Sequence, residues 1–323
     1  MKQGILERLR NGPVLGDGGY LLELEKRGYV QAGPFTPEVA VEHPNALLQL
    51  HTEFRRAGSE VLQTCTFYAS EDKLRSSGVS DKVEAINRSA TRLAREAAQG
   101  DTLVAGNLCL TWSYEPDSNA AQAYTIDQFR QQVAFQADEG VDFFIAETFH
   151  WVGEAVLACK AIKEAGYPAM ITMNFKNPAV SREGYSPAEA ARRLEDSGAD
   201  IVGTNCGRDP YFMLPVAEEM RKAVKCYVAC QPAGFRGTKE IPYFMGRPEF
   251  PLELDPLQLT RGEMAQFAGR ARDAGINYIG ACCGVAASHI RAMAEALGRT
   301  PEASAKSDKL EMHPILGQAK APR

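Results

Sequence analysis

The chain predicts an α/β fold, a single (β/α)8 TIM barrel with a short C-terminal extension. Three observations carry this. There are eight short apolar runs, each followed by a longer amphipathic stretch. Most runs are near-continuously apolar, as parallel strands buried on both faces must be. Glycines at 58, 100, 140, 166, 198 and 275 close several of the amphipathic stretches just before the next run. Glycine past a helix end takes the left-handed conformation at little steric cost.

The candidate strands, in order, are PVLGDGG (13–19), EVLQTCTF (60–67), TLVAGNLC (102–109) and DFFIAETF (142–149). AMITMNF (169–175), DIVGTNC (200–206), CYVACQP (226–232) and NYIGACC (277–283) follow. Helical stretches between them include PEVAVEHPNALLQLHTEFRRAG (37–58), SPAEAARRLEDSGA (186–199) and RGEMAQFAGRARDAG (261–275). Residues 233–260 are rich in Pro and Gly without helical period and read as a long loop. A doubly wound sheet is the competing architecture, but GDGG (16–19) lacks the G-x-G-x-x-G spacing of a dinucleotide loop. The barrel spans 1–300, and the polar segment 301–323 is expected outside it, as a possible interface.

With 323 residues, 45% of them hydrophobic, the chain can bury a sizeable core. A net charge of -5 and the absence of a basic-aromatic stretch argue against nucleic acid as a partner. No apolar run approaches the ~18 residues of a membrane span, and MKQGILERLR has no long apolar leader region. A soluble cytoplasmic protein is the expectation. Eight cysteines are too sparse for a disulfide scaffold, so metal, redox or packing roles are the ones to weigh.

Barrel active sites lie at the C-terminal ends of the strands. Cys206 ends the sixth run, and Cys282 and Cys283 end the eighth. Three thiolates at one mouth could hold Zn2+ and leave its fourth position open, which suits catalysis better than a closed structural site. The plainer alternative is that free cysteine is a small buried apolar residue. That reading fits Cys65, Cys109, Cys159, Cys226 and Cys230, with Cys230 the best rival ligand. None of the five histidines (43, 51, 150, 289, 313) belongs to an H-E-x-x-H pattern.

These motifs resemble the zinc-dependent homocysteine S-methyltransferase family, and its betaine-type branch in particular. The resemblance runs through GILERL (4–9), GDGG (16–19), LEKRGYV (24–30), AGPFTPE (32–38), TFYASEDKL (66–74), GTNC (203–206) and GACCG (280–284). The tail segment LEMH (310–313) matches too. The resemblance implies zinc on Cys206, Cys282 and Cys283. It further implies homocysteine as methyl acceptor, a small cationic onium compound as donor, methionine as product, and a homo-oligomer. Coordination would lower the pKa of the homocysteine thiol and ready it for in-line attack on the methyl group. No organic cofactor is needed.

Carried over by position, Asp17, Gly18, Gly19 and Asn205 belong to the substrate site. Glu147 accepts from the homocysteine ammonium group. Phe67, Tyr68 and Phe35 supply ring faces to the donor cation. Glu147 and Tyr68 are the implied catalytic residues, and Tyr68 is also a candidate for the fourth zinc position at rest. Phe35 stands where the branch carries tryptophan, and Thr148 where it often has tyrosine. Glycine betaine is the first-choice donor; dimethylsulfoniopropionate or S-methylmethionine is the alternative. A zinc-binding or redox barrel without turnover would not need an amino-acid pocket, so Asp17 and Glu147 argue against it. A zinc hydrolase ranks low, because three thiolates make the metal electron-rich and poor at acidifying water.

Overall fold

The computed structural model describes residues 2–31, 33 and 36–306. Phe35 and the LEMH segment therefore lie outside the described residues, as does all but the start of the extension, where Glu302–Lys306 forms a 3-10 turn.

All eight expected strands are present: β1 (Val14–Leu15), β2 (Val61–Gln63), β3 (Leu103–Cys109), β4 (Phe143–Phe149), β5 (Ala169–Met173), β6 (Ile201–Asn205), β7 (Tyr227–Gln231) and β8 (Tyr278–Ile279). They form one parallel sheet in the order β1-β8-β7-β6-β5-β4-β3-β2. The remaining gap is bridged beside β1 and β2, where the Glu60 N–H donates to the Leu15 carbonyl at 2.9 Å. The Glu60 carboxylate accepts from the Leu15 N–H at 2.8 Å in return. Each strand is followed by a crossover helix; those after β1, β2, β3 and β4 are Pro44–Ala57, Val83–Ala97, Asn119–Asp138 and Val152–Glu164. Pro187–Asp196, Pro210–Ala223, Arg261–Asp273 and Ala287–Ala296 follow the other four.

Strand periodicity divides the core. Outward-facing Leu15, Leu62, Val104, Phe144, Ile171, Val202, Val228 and Ile279 join the large cluster under the helices. Inward-facing Val14, Val61, Leu103, Phe143, Ile145, Met170, Ile201, Ala229 and Tyr278 fill the lower barrel. The short helix Ile5–Asn11 plugs the bottom with Ile5 and Leu9. Two or four residues further along the same inward faces, the side chains turn polar: Gln63, Asn107, Glu147, Thr172, Asn205 and Gln231. The upper barrel is thus a ring of four amides, one hydroxyl and one carboxylate set above an apolar plug.

Several expectations need correction. The first two strands, expected over 13–19 and 60–67, pair only over Val14–Leu15 and Val61–Gln63. The single helix expected over 37–58 is broken into a 3-10 turn at Thr36–Glu38, a short helix Val39–Glu42 and the helix Pro44–Ala57. Pro44 has no N–H to donate, and it forces His43 out of helical conformation, to φ -135° and ψ 55°. The eighth strand, expected to reach Cys283, pairs only as far as Ile279. Beyond it the backbone turns across the barrel top. The Ala281 N–H bonds the Asp17 carbonyl and the Cys282 N–H the Pro232 carbonyl.

Candidate active site

A cavity of about 690 Å³ opens at the C-terminal ends of the strands. Gly18, Gly19, Phe67, Tyr68, Glu147, Cys206, Cys282 and Cys283 all border it. Asp17 and Asn205 do not. Both are buried one layer behind, where their side chains brace the wall.

The sulfur cluster sits on two loops. Cys206 follows β6 directly and is held in the left-handed region at φ 56°. Its Sγ is 3.8 Å from that of Cys283. The sulfurs of Cys206, Cys282 and Cys283 all lie within 4.8 Å of one another. Zinc takes sulfur at about 2.3 Å in tetrahedral geometry, which sets sulfur–sulfur separations near 3.8 Å. Both the donor set and its spacing fit that ion. Left to themselves, the three groups share protons unequally. Hydrogen bonding from Cys282 and Cys283 holds Cys206 well below an ordinary thiol pKa, and Cys282 and Cys283 are pushed up.

Glycines make this turn possible. A Cβ on Gly19 would come within 2.7 Å of the Cys282 carbonyl oxygen, and one on Gly18 within 2.3 Å of the Val285 carbonyl. The GDGG segment is therefore a seat for the CCG turn as well as a border of the cavity.

Glu147, at 4% exposure, is the centre of the polar ring. Its Oε1 accepts from Gln63 Nε2 at 2.5 Å and Asn107 Nδ2 at 2.7 Å. Its Oε2 accepts from Asn205 Nδ2 at 2.7 Å. Burial pushes its pKa up to about 8, although the amide donors of Asn107 and Gln63 pull it down. Among the described residues no cation pairs with it. Gln63 Oε1 and Asn107 Oδ1, on the amides that donate to it, are buried and have no donor of their own. Buried acceptors left open are rare and point to a missing partner. A carboxylate flanked by two open amide oxygens matches the three N–H groups of a primary ammonium.

Asp17 and Asn205 act on this centre from behind. Asp17 Oδ2 accepts from the Gln63 N–H at 2.7 Å and from the Tyr20 hydroxyl at 2.6 Å. The same hydroxyl lies 2.9 Å from His51 Nδ1. Burial pushes the Asp17 pKa up to about 7 and lowers that of His51 to about 3. Asn205 Oδ1 accepts from Thr172 Oγ1 and from the Thr148 N–H. That second bond helps hold Thr148 at φ 66°.

Also bordering the cavity, Phe67 packs edge-on to Tyr68 with ring centroids 4.6 Å apart, and Trp112 stands 6.4 Å from Tyr68. Tyr68 is a third non-glycine residue in the left-handed region, at φ 68°. Strained backbone in the loop after β2, near the end of β4 and just past β6 is where functional geometry overrides local preference. Burial and the neighbouring sulfurs of Cys109, Cys283, Cys206 and Cys282 push the Tyr68 hydroxyl well above its ordinary pKa.

Several bordering residues were not foreseen: Gln63, Asn107, Trp112, Glu154, and Phe244 with Phe250 from the long loop. A polar residue at every second position near the end of an apolar run was the available signal for the first two. Of the remaining cysteines, Cys159 and Cys230 pack in the core. Cys109 Sγ instead accepts from the Tyr68 N–H at 3.3 Å. Among the described residues, no helix is long and apolar enough to cross a membrane.

The homocysteine S-methyltransferase family model matches residues 14–297. The chain is 45% identical over 333 residues to betaine–homocysteine S-methyltransferase 1 of Mus musculus, covering 97% of this chain and 81% of the relative. It is 44% identical over 330 residues to the S-methylmethionine–homocysteine S-methyltransferase BHMT2 of Pongo abelii, covering 97% and 88%. In fold it resembles the metallated homocysteine methyltransferase MmuM of Escherichia coli, with a TM-score of 0.72 and 19% identity over 89% of this chain and 98% of that one.

Proposed function

The chain belongs to the homocysteine S-methyltransferase family, and from that premise we propose that it moves a methyl group from an onium donor, glycine betaine first, to the thiol of homocysteine, giving methionine. The carrying observation is one cavity that joins the sulfur trio to a buried carboxylate ringed by open acceptors. Homocysteine has the two matching ends, a thiol and an ammonium.

Cys206, Cys282 and Cys283 would hold zinc. When bound there, zinc would acidify the incoming thiol and supply an anionic sulfur near neutral pH. Glu147, with the amide oxygens of Gln63 and Asn107, binds the substrate ammonium and so fixes its sulfur end toward the cysteines. Asp17 and Asn205 keep Gln63 and Glu147 in place. Gly18 and Gly19 let the CCG turn close against their backbone and border the cavity where the amino-acid portion would lie.

Phe67, Tyr68 and Trp112 give the onium group ring faces in place of water. In the displacement the thiol gives up its proton, a sulfur electron pair forms the new S–CH3 bond, and the C–N pair of the donor stays on nitrogen. With glycine betaine the products are methionine and dimethylglycine. The barrel's contribution is alignment and exclusion of water, which can supply several kcal/mol of the barrier lowering.

The 44% identity to the S-methylmethionine enzyme supports a second reading in which the donor is a sulfonium. Incubation of the metallated protein with homocysteine and methyl-labelled donors, each alone, tests both. Label in methionine from glycine betaine is the expected result. Label from S-methylmethionine only would favour the second reading, and label from no donor would refute the proposed activity.

A further inference from the structure

Lys73 is the unexplained charge in the cavity wall. It lies on the short helix Glu71–Ser76 and is completely buried, yet it borders the cavity. Its Nζ is 4.2 Å from the Tyr68 ring centroid, 5.3 Å from that of Trp112 and 5.6 Å from that of Phe67. Its hydrogen-bond partner is Cys109 Sγ at 3.6 Å. Among the described residues no carboxylate lies within 4.0 Å of it; the ion pairs of the chain are made by other side chains.

An ammonium has three N–H donors, and a thiol sulfur is a weak acceptor for one of them. Ring faces soften the burial of a cation but supply no counter-charge. The buried Glu154 carboxylate is near enough for Lys73 to stabilise its charge, but it makes no ion pair with Lys73 and accepts from the Thr111 N–H and hydroxyl instead. An unpaired buried charge is costly. The rings that would receive a donor's cation are thus already occupied, on one side, by the chain's own cation. A second bare cation placed there would be repelled. A donor that brings an anion close to its onium group would complete the pair.

We propose that Lys73 is the donor-selecting residue and that it restricts the donor to onium carboxylates without a second cationic group, with the carboxylate toward Lys73 and the onium group toward the cysteine sulfurs. This rests on the proposed methyl transfer for its biological meaning and narrows the donor class. Tyr68 is the divider. Its ring faces Lys73, and it borders the same cavity as Cys206, Cys282 and Cys283. Glycine betaine and dimethylsulfoniopropionate, with one and two carbons between onium and carboxylate, fit this polarity. S-methylmethionine carries an ammonium beside its carboxylate and would bring a third cation to Lys73.

The test is binding, followed by tryptophan fluorescence of Trp112 and Trp151, both of which border the cavity. Metallated protein without any thiol acceptor is titrated with glycine betaine and with tetramethylammonium, which has the cation but no carboxylate. Wild type should bind glycine betaine at least tenfold more tightly. Lys73→Met should lose that preference by weakening glycine betaine and sparing or improving tetramethylammonium, and Lys73→Arg should restore it. Equal loss for both probes in Lys73→Met would mark a structural role and overturn the proposal. So would a wild type that shows no preference, or that binds neither probe; this needs no variant and holds even if Lys73→Met fails to fold. A preserved preference without methylation of homocysteine would refute the proposed activity and leave the selection by Lys73 standing.

Discussion

Replacing Glu147 by glutamine should cost the enzyme its hold on the amino group of homocysteine and little else. The carboxylate receives two amide donors on Oε1 and one on Oε2. A glutamine keeps its carbonyl oxygen best on the two-donor side, which turns its own NH2 toward Asn205 Nδ2. One charge-assisted hydrogen bond becomes a donor–donor contact, and the incoming ammonium loses its counter-charge. Truncating one partner of a buried charge pair costs ~2–5 kcal/mol. Taking about 3 kcal/mol, kcat/KM for homocysteine should fall roughly 150-fold. The assay compares homocysteine with 4-mercaptobutyrate, which keeps the thiol and lacks the ammonium. Wild type should favour homocysteine by about the same ~150-fold factor, and Glu147→Gln should bring the two acceptors nearly level. If the substitution lowers kcat/KM equally for both, Glu147 does not contact the ammonium, and the assignment of the polar ring to the amino-acid end is wrong.

Cys206→Ala removes one of three sulfurs from a set spaced for tetrahedral binding; bound zinc by elemental analysis should fall from about one per chain to near none, and methylation with it. Gly19→Ala would drive a methyl group against the Cys282 carbonyl, so the CCG turn must shift; zinc should be lost to a competing chelator at least tenfold more readily than from wild type, with the barrel still folded. Asp17, neutral in the folded chain until about pH 7 but ionised in the unfolded chain above about pH 4, makes folding less favourable as pH rises through that window. Asp17→Asn keeps a carbonyl oxygen for Gln63 and Tyr20 and should flatten the fall in stability between pH 4 and 7 by a few kcal/mol. Denaturant titrations at several pH values would show this, and an unchanged pH slope would count against the buried, proton-holding carboxyl.

The strands were legible because burial on both faces leaves only apolar residues, and the order β1 to β8 follows once a barrel is accepted. The cysteine set was legible because thiols at strand ends are few. The helix break at His43 was also present in the letters, as the proline that follows it. Other features were harder to see. Asn107 and Gln63 look like chance polar interruptions until the inward faces of neighbouring strands are aligned, since their meaning depends on a register between segments far apart in the chain. Lys73 sits two residues past Glu71 on a charged helix turn and reads as a surface lysine. Only the packing of Phe67, Tyr68 and Trp112 encloses it. Asp17 was placed at the right strand end, but its side-chain direction was set by Tyr20 and by the N–H of Gln63.

The separation of 77 residues between Cys206 and Cys283 has a consequence for biogenesis. A nascent chain exposes the first thiol well before the last pair has been synthesised, and that pair reaches its seat only when the final strand slots between the first and the seventh. Any ion gripped by all three sulfurs is therefore acquired at the last stage of assembly, so resistance of the ion to chelation would clock the moment the cylinder completes itself.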